Sequence, residues 1–303
     1  MKKLALLFTA AAWAGCVATA CAQQGYGPAE VSPVFVPELP QQLDFAGERV
    51  PLEYDDVREA LERELTVTMF MHSRTLRTLR LTTRYFPVIE PILKQYGIPE
   101  DFKYLCMAES GLDPNVVSPA GAAGPWQLMK SAAKDYGVET GDNVDMRYNI
   151  EYATEAACKY LQDAYKRYGS WTLAAASYNA GLAGVSKRLD IQKAVNSYYD
   201  LFLPEETMRY VFRILSYKLL VGDPQQYGYH LRKRDYLPPF EHYRTVKVGS
   251  QPIDWVALAA RYGTNYKMLR VLNPWIRSYE YENRAGKVYP VKIPTEGFSE
   301  NGN

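Results

Sequence analysis

A single carboxylate ends an apolar stretch in the segment LCMAES, where Glu109 stands just before Ser110 and Gly111. Helical spacing of i, i+3, i+4 and i+7 puts it on one face with three apolar residues: Phe102, Leu105 and Cys106. Apolar surroundings disfavour the charged form of a carboxyl group and raise its pKa. A raised pKa is what a general acid needs near neutral pH. The alternative from periodicity alone is an ordinary glutamate that reaches solvent or pairs with an arginine.

A glycine-rich loop follows this helix and leads into an aromatic and an amide residue. Gly121 and Gly124 let the backbone approach a ligand closely, because glycine has no side chain. Gln127 carries an amide that both donates and accepts hydrogen bonds, and Met129 comes two residues later. The simpler interpretation is a glycine-rich turn before a helix.

The segment LAAASYNAG places Tyr178 and Asn179 in a helix of otherwise small residues. This composition indicates tight packing around one polar position, and the alternative is a buried alanine-rich helix with a capping asparagine. No phosphate-binding loop, dinucleotide-binding glycine pattern or Cys/His metal spacing is visible. The three histidines, His72, His230 and His242, lie far apart in the sequence. We therefore predict neither a metal nor a cofactor.

Helices must position these residues. Helical spacing of apolar residues continues from residue 55 to residue 222, without a strand pattern of useful length. After a first helix that begins at Asp55, apolar spacing predicts helices at about residues 73–96, 99–110, 128–136, 148–168, 171–184 and 204–220. We predict a mainly α fold with one helical catalytic domain over residues 52–222, within the usual size of a domain.

The composition changes on both sides of this helical block. Residues 23–51 are rich in Pro, Gln and Gly and predict an extended linker or arm, and residues 223–240 predict a second linker. Residues 241–295 show the order strand, helix, helix, strand, which indicates a very small domain near the lower size limit for independent folding. Residues 296–303 form a tail.

The first 22 residues have the features of an export signal, with Lys2 and Lys3 before an apolar stretch and small residues at 20–22. Lipid modification at Cys16 or Cys21 and an uncleaved membrane anchor are the open alternatives. All three place the rest of the chain outside the cytoplasm.

The net charge and the tyrosine content bear on the class of ligand, and the cysteines bear on disulfide bonding. A formal net charge of +1 gives no electrostatic footprint for nucleic acid. The chain has 25 tyrosines, whose flat face and hydroxyl suit sugar surfaces, although many tyrosines only cap core edges. Cys106 and Cys158 fit either a disulfide in an oxidising compartment or two buried free thiols.

Three motifs occur in order and at fitting distances: AESGLDPNVVSPAGAAGPWQLM, ASYNAG and PEETMRYVFRI. Together they resemble the catalytic domain of the family 1 lytic transglycosylases, over residues 52–222. Residues 241–295 resemble one LysM module, although Gly249-Ser250-Gln251 replace its usual Gly-Asp-Thr turn. The arrangement is most similar to membrane-bound members of the family that join this domain to LysM modules. The resemblance implies a lysozyme-like helical fold.

The resemblance also assigns roles to individual residues. Glu109 matches the single catalytic acid and base of the family. The positions that match substrate-binding or cleft-lining residues are Ser110, Gln127, Met129, Tyr178, Asn179 and Tyr210. No cofactor is implied, and the expected partner is the glycan strand of peptidoglycan. The expected location is the bacterial cell envelope, in the periplasm.

The number of carboxylates bears on the mechanism. Ordinary glycosidases flank the scissile bond with two carboxylates, whereas these motifs supply one. The resemblance implies that Glu109 protonates the oxygen between N-acetylmuramic acid and N-acetylglucosamine, while the acetamido group of the muramic acid stabilises the positive centre. Glu109 then takes the proton of the 6-hydroxyl, which closes a 1,6-anhydro ring without water. A goose-type lysozyme-like hydrolase and a non-catalytic wall-binding protein are the alternatives.

Overall fold

The computed structural model describes residues 35–193, 195–249 and 251–296 of the 303-residue chain. The predicted export signal lies outside the described residues, as does most of the predicted tail. From Val36 onward the described residues form one compact unit. No helix in this described part is long and apolar enough to cross a membrane.

The described residues between 55 and 222 hold eight α-helices. In chain order they are α1 (Asp55–Phe70), α2 (His72–Gln95), α3 (Phe102–Ser110), α4 (Lys130–Asp135), α5 (Ile150–Tyr168), α6 (Trp171–Ala180), α7 (Leu182–Gln192) and α8 (Glu205–Gly222). The mainly α prediction is confirmed. The predicted helix at 171–184 is divided into α6 and α7, because Gly181 has a φ of 75° that interrupts helical geometry.

A short hairpin of β1 (Asp44–Phe45) and β2 (Glu48–Arg49) precedes the helices. Phe45 is fully buried, and its ring lies edge-on against Phe102 at 5.2 Å between centroids. Residues 44–50 thus contribute to the core, and the packed unit begins earlier in the chain than the predicted start at residue 52.

The segment 223–240, predicted as a linker, is held along the helices. The Tyr229 hydroxyl donates to the Met69 carbonyl at 2.6 Å, and the Leu237 N–H donates to the Arg80 carbonyl at 2.8 Å. Apolar and aromatic residues in this stretch bury against α1 and α2, which a composition rich in Pro and charge did not indicate.

The C-terminal part has the predicted order of strand, helix, helix and strand, with one additional pair of short strands. Its elements are β3 (Tyr243–Val248), β4 (Ile253–Asp254), α9 (Trp255–Arg261), α10 (Tyr266–Leu272), β5 (Glu280–Tyr281) and β6 (Tyr289–Pro294). β3 pairs antiparallel with β6, and β4 pairs antiparallel with β5. Trp255 and Trp275 meet edge-on at 5.7 Å in its core.

Candidate active site

The short helix α3 positions Glu109 in its last turn. The apolar residues that share its face, Phe102, Leu105 and Cys106, have no exposed surface. Burial of this stripe against α2 and α8 fixes the rotation of the helix, so that Glu109 emerges half-buried at the end of the apolar wall. The spacing argument from the sequence therefore describes the observed geometry of this helix.

Glu109 has the electrostatics of a proton donor. Burial raises the pKa of its carboxyl group to about 7, and the neighbouring charge of Glu206 acts in the same direction. A hydrogen bond from the Tyr210 hydroxyl to Oε1 lowers the pKa, as do the charges of Arg213 and Arg74. Near neutral pH the group is therefore divided between its acid and base forms and can serve as either.

Replacing Tyr210 by Phe should move the alkaline limb of the activity profile to higher pH. The hydroxyl donates to the ionised carboxylate, so its loss destabilises the base form and raises the pKa of Glu109 above about 7. The measurement is kcat/KM against pH for the Tyr210→Phe variant. Tyr178→Phe is the matched control, because the Tyr178 hydroxyl donates to the Trp126 carbonyl instead. A limb that stays in place in Tyr210→Phe would contradict the assignment.

The glycine-rich loop is stabilised by Gln127. Its amide nitrogen donates to the carbonyls of Val116 and Gly124, at 3.0 and 2.8 Å. Short antiparallel bridges at residues 117, 123 and 128 close the loop on itself. The amide oxygen of Gln127 is then the atom left to accept a hydrogen bond from a ligand.

Ser110 and Cys106 fasten α3 to the same loop. The Ser110 hydroxyl is buried and donates to the Pro125 carbonyl at 2.7 Å, and the Cys106 thiol donates to the same oxygen at 3.2 Å. Cys106 and Cys158 are both buried free thiols. Burial raises the pKa of both, that of Cys158 to about 12, so neither is a reactive thiolate.

The remaining sequence-predicted residues differ in burial and in their partners. Tyr178 is half-buried, donates to the Trp126 carbonyl at 2.8 Å, and lies close enough to Glu109 to interact electrostatically. Asn179 is exposed, and its Oδ1 accepts a hydrogen bond from Thr207 Oγ1 at 2.7 Å. Met129 is 43% exposed at the start of α4. The structure thus gathers Glu109, Tyr210 and Tyr178 into one cluster, while Asn179 and Met129 offer exposed side chains.

Two supporting residues were not predicted from the sequence. Arg147 is 3% exposed, pairs with Asp145, and donates to loop carbonyls (described below). The Glu48 carboxylate caps the N-terminus of α6, where it accepts from the Thr172 N–H at 2.9 Å and from the Ser170 hydroxyl at 2.9 Å. Asp145 and Arg147 stand two residues apart in the sequence, which is a weak signal for the ion pair of Arg147. No sequence pattern indicated the capping role of Glu48. The described residues contain no cluster of His, Cys, Asp and Glu that suits a metal ion.

Comparison with known proteins finds two matching family models. Residues 87–201 match the transglycosylase SLT domain, and residues 244–297 match the soluble lytic transglycosylase C-terminal LysM-like domain. Membrane-bound lytic murein transglycosylase D of Escherichia coli strain K12 is 29% identical over 230 residues, which cover 74% of this chain and 49% of the relative. A putative tributyltin chloride resistance protein of Alteromonas sp. strain M-1 is 29% identical over 98 residues, 32% of this chain and 46% of the relative. The chain spans about half the length of these relatives.

The solved structures that match part of this chain are longer chains. The 70 kDa soluble lytic transglycosylase of Escherichia coli has 23% identity and a TM-score of 0.37, over 52% of this chain and 27% of that chain. An inactive mutant of the lytic transglycosylase Slt from Pseudomonas aeruginosa has 18% identity and a TM-score of 0.38, over 55% and 30% of the two chains.

Proposed function

We propose that this chain, which contains a transglycosylase SLT domain followed by a LysM-like domain, is a peptidoglycan lytic transglycosylase. The observation that carries the proposal is the half-buried carboxyl group of Glu109, with a pKa of about 7 and a hydrogen bond from Tyr210. The proposed substrate bond joins N-acetylmuramic acid to N-acetylglucosamine through a β-1,4 linkage. The name of the Escherichia coli relative, a murein transglycosylase, supports this substrate.

Glu109 begins the reaction as the acid. Because burial holds its proton up to about pH 7, it can protonate the glycosidic oxygen as the bond breaks. The apolar wall of α3 beneath it keeps the local dielectric low, which favours proton transfer to the leaving group over ionisation in water. The acetamido group of the muramic acid then stabilises the positive centre.

The same carboxylate completes the reaction as the base. Glu206 is the nearby carboxylate that acts on Glu109, but its ion pair with Arg213, at 2.9 Å, lowers the pKa of Glu206 and keeps it ionised. In ordinary glycosidases the second carboxylate is an ionised base or nucleophile, whereas the charge of Glu206 is engaged by Arg213. With one titrating group available, Glu109 takes the proton of the 6-hydroxyl, and an anhydro ring closes.

The other sequence-predicted residues have two proposed roles. Ser110 and Gln127 hold the loop through their hydrogen bonds to loop carbonyls, and we assign Ser110 to positioning because its hydroxyl points into the protein. Asn179 and Met129 are exposed and are proposed to contact the glycan. Tyr178 and Tyr210 place their hydroxyl groups near the Glu109 carboxyl group.

We also propose that the protein works in the bacterial cell envelope, after export to the periplasm or attachment to a membrane. The support is the sequence of the first 22 residues and the name of the Escherichia coli relative, which is membrane-bound.

Digestion of purified peptidoglycan tests the proposed function. We expect the protein to release soluble muropeptides whose anhydro ends resist borohydride reduction. A hydrolase would release reducing ends, and a wall-binding protein would sediment with the glycan and release nothing. Either of these results would refute the transglycosylase proposal, and Glu109→Gln serves as the blank.

A further inference from the structure

The LysM-like domain is docked onto the helical domain through backbone pairing. Residues 143–145 run antiparallel to residues 275–277, with the bridge between Val144 and Ile276. One N–H of each segment donates to a carbonyl of the other, at 3.0 and 2.8 Å. Both bridging residues are buried, with exposed fractions of 2% and 0%. Backbone bonds inside an apolar seam fix the position of the domain, because opening the seam would leave buried polar groups unpaired.

Side chains of β6 and of the residues just before it extend this docking surface. They contact residues 139–151, and we call residues 139–151 the docking segment. The Tyr289 hydroxyl donates to the Glu139 carboxylate at 3.1 Å, and Lys287 forms an ion pair with it at 3.1 Å. Lys292 forms an ion pair with Glu151, at the other end of the segment. The LysM-like domain therefore clamps both ends of the docking segment.

The middle of the docking segment supports the glycine-rich loop. Arg147 Nη1 donates to the carbonyls of Gly121 and Leu128, each at 2.9 Å, and so bridges the two ends of the loop. Arg147 Nη2 pairs with the Asp145 carboxylate at 2.7 Å. A guanidinium group holds several acceptors in a fixed plane, so its position determines the spacing of the loop ends.

Gly124 brings the loop into direct contact with the backbone of the same segment. A Cβ atom built on Gly124 would lie 1.8 Å from the Arg147 carbonyl oxygen. There is no space between loop and segment at this point. A displacement of the docking segment must therefore move the loop, since interiors packed this closely transmit strain.

These contacts form a continuous path from the LysM-like domain to the loop that Ser110 and Cys106 fasten to the helix of Glu109. We propose that the LysM-like domain is a structural support of the candidate active site, and that Arg147 is the positioning residue through which it acts. The inference rests on the proposed function only for its kinetic consequence. The packed segment 223–240, which ties the domain to α1 and α2, agrees with a docked support.

The test uses the full chain with a weakened docking surface. In the double variant Glu139→Gln with Lys292→Met, we expect faster hydrogen exchange at the amides of residues 121–128, where Ala123 and Leu128 exchange backbone bonds. We also expect kcat on a short soluble glycan to fall by about 2- to 30-fold, with little change in KM, as for couplings carried through contact networks. A module that only tethers the enzyme to insoluble wall would leave both quantities unchanged.

Lys267→Met is the matched control, because it removes the charge of an exposed lysine on α10 of the same domain. It should alter neither loop exchange nor kcat. Arg147→Lys is the second variant and should lower kcat without changing KM, since one ammonium group cannot reproduce the fork. Unchanged loop exchange in a folded double variant would overturn the proposal. Because exchange needs no substrate, that failure is distinct from failure of the proposed function.

Discussion

Replacing Glu109 by Gln should lower the release of muropeptides by at least ~100-fold, the lower end for general acid catalysis. The amide has nearly the same shape but neither gives nor takes a proton at neutral pH. Both proposed steps, protonation of the glycosidic oxygen and deprotonation of the 6-hydroxyl, pass through this group. The measurement is the initial rate on purified peptidoglycan at matched protein concentration. A variant that lyses the wall at a near-normal rate would remove Glu109 from the mechanism.

The same substitution tests the pKa of Glu109 without a substrate. Its folded-state pKa is about 7 instead of the ordinary 4.5, so the folded protein binds this proton more tightly than the unfolded chain does. The stability from this proton is present below pH 4.5 and is lost as the pH rises through 7. The Glu109→Gln variant lacks this titration. Its free energy of unfolding, relative to that of the unsubstituted protein, should therefore increase between about pH 5 and about pH 8. Denaturant unfolding at both pH values gives the comparison, and equal differences would contradict the raised pKa.

Gly124→Ala should damage both stability and activity. The added Cβ would lie 1.8 Å from the Arg147 carbonyl oxygen, and Gly124 has a φ of 81°, in the left-handed region. Overpacking and backbone strain each cost about 1–3 kcal/mol. A loop displaced by about 1 Å can also lower turnover on the order of 100-fold. Thermal unfolding and kcat on a soluble glycan measure the two effects.

Gly121→Ala is the control for this substitution in the same loop. Gly121 has a similar φ of 85°, but among the described residues beyond its two chain neighbours, no atom lies within 4 Å of the position its Cβ would take. We expect the cost of the backbone conformation alone, about 1–2 kcal/mol. If the two variants lose the same stability and activity, the contact between Gly124 and Arg147 does not matter.

Local patterns predicted the helical fold and the position of Glu109. The stripe of Phe102, Leu105 and Cys106 needs only helical periodicity, and burial of that stripe follows from its composition. The order of strands and helices after residue 241 was also predicted from local sequence patterns. Apolar periodicity did not reveal the break at Gly181, across which a single helix was predicted.

Long-range supports were not predictable from these patterns. Arg147 binds carbonyls 26 and 19 residues away, and Glu48 caps a helix more than 120 residues away. The bonds of Arg147 go to backbone oxygens, which every residue type presents, so nothing in the partner sequence marks them. Composition likewise gave no sign that residues 223–240 are packed, because burial of Tyr227 and Tyr229 depends on a surface made by α1 and α2.

The origin of the oxygen in the products tests the central claim most directly. Ring closure by the 6-hydroxyl consumes no water, and an intramolecular hydroxyl has an effective concentration on the order of 10⁵ M or more when well oriented. Peptidoglycan digested in water enriched in the heavy isotope of oxygen should therefore yield muropeptides that lack the label. By mass spectrometry they should be lighter than hydrolysis products by one water. Incorporation of one heavy oxygen at each new muramic acid end would contradict the account and identify a hydrolase.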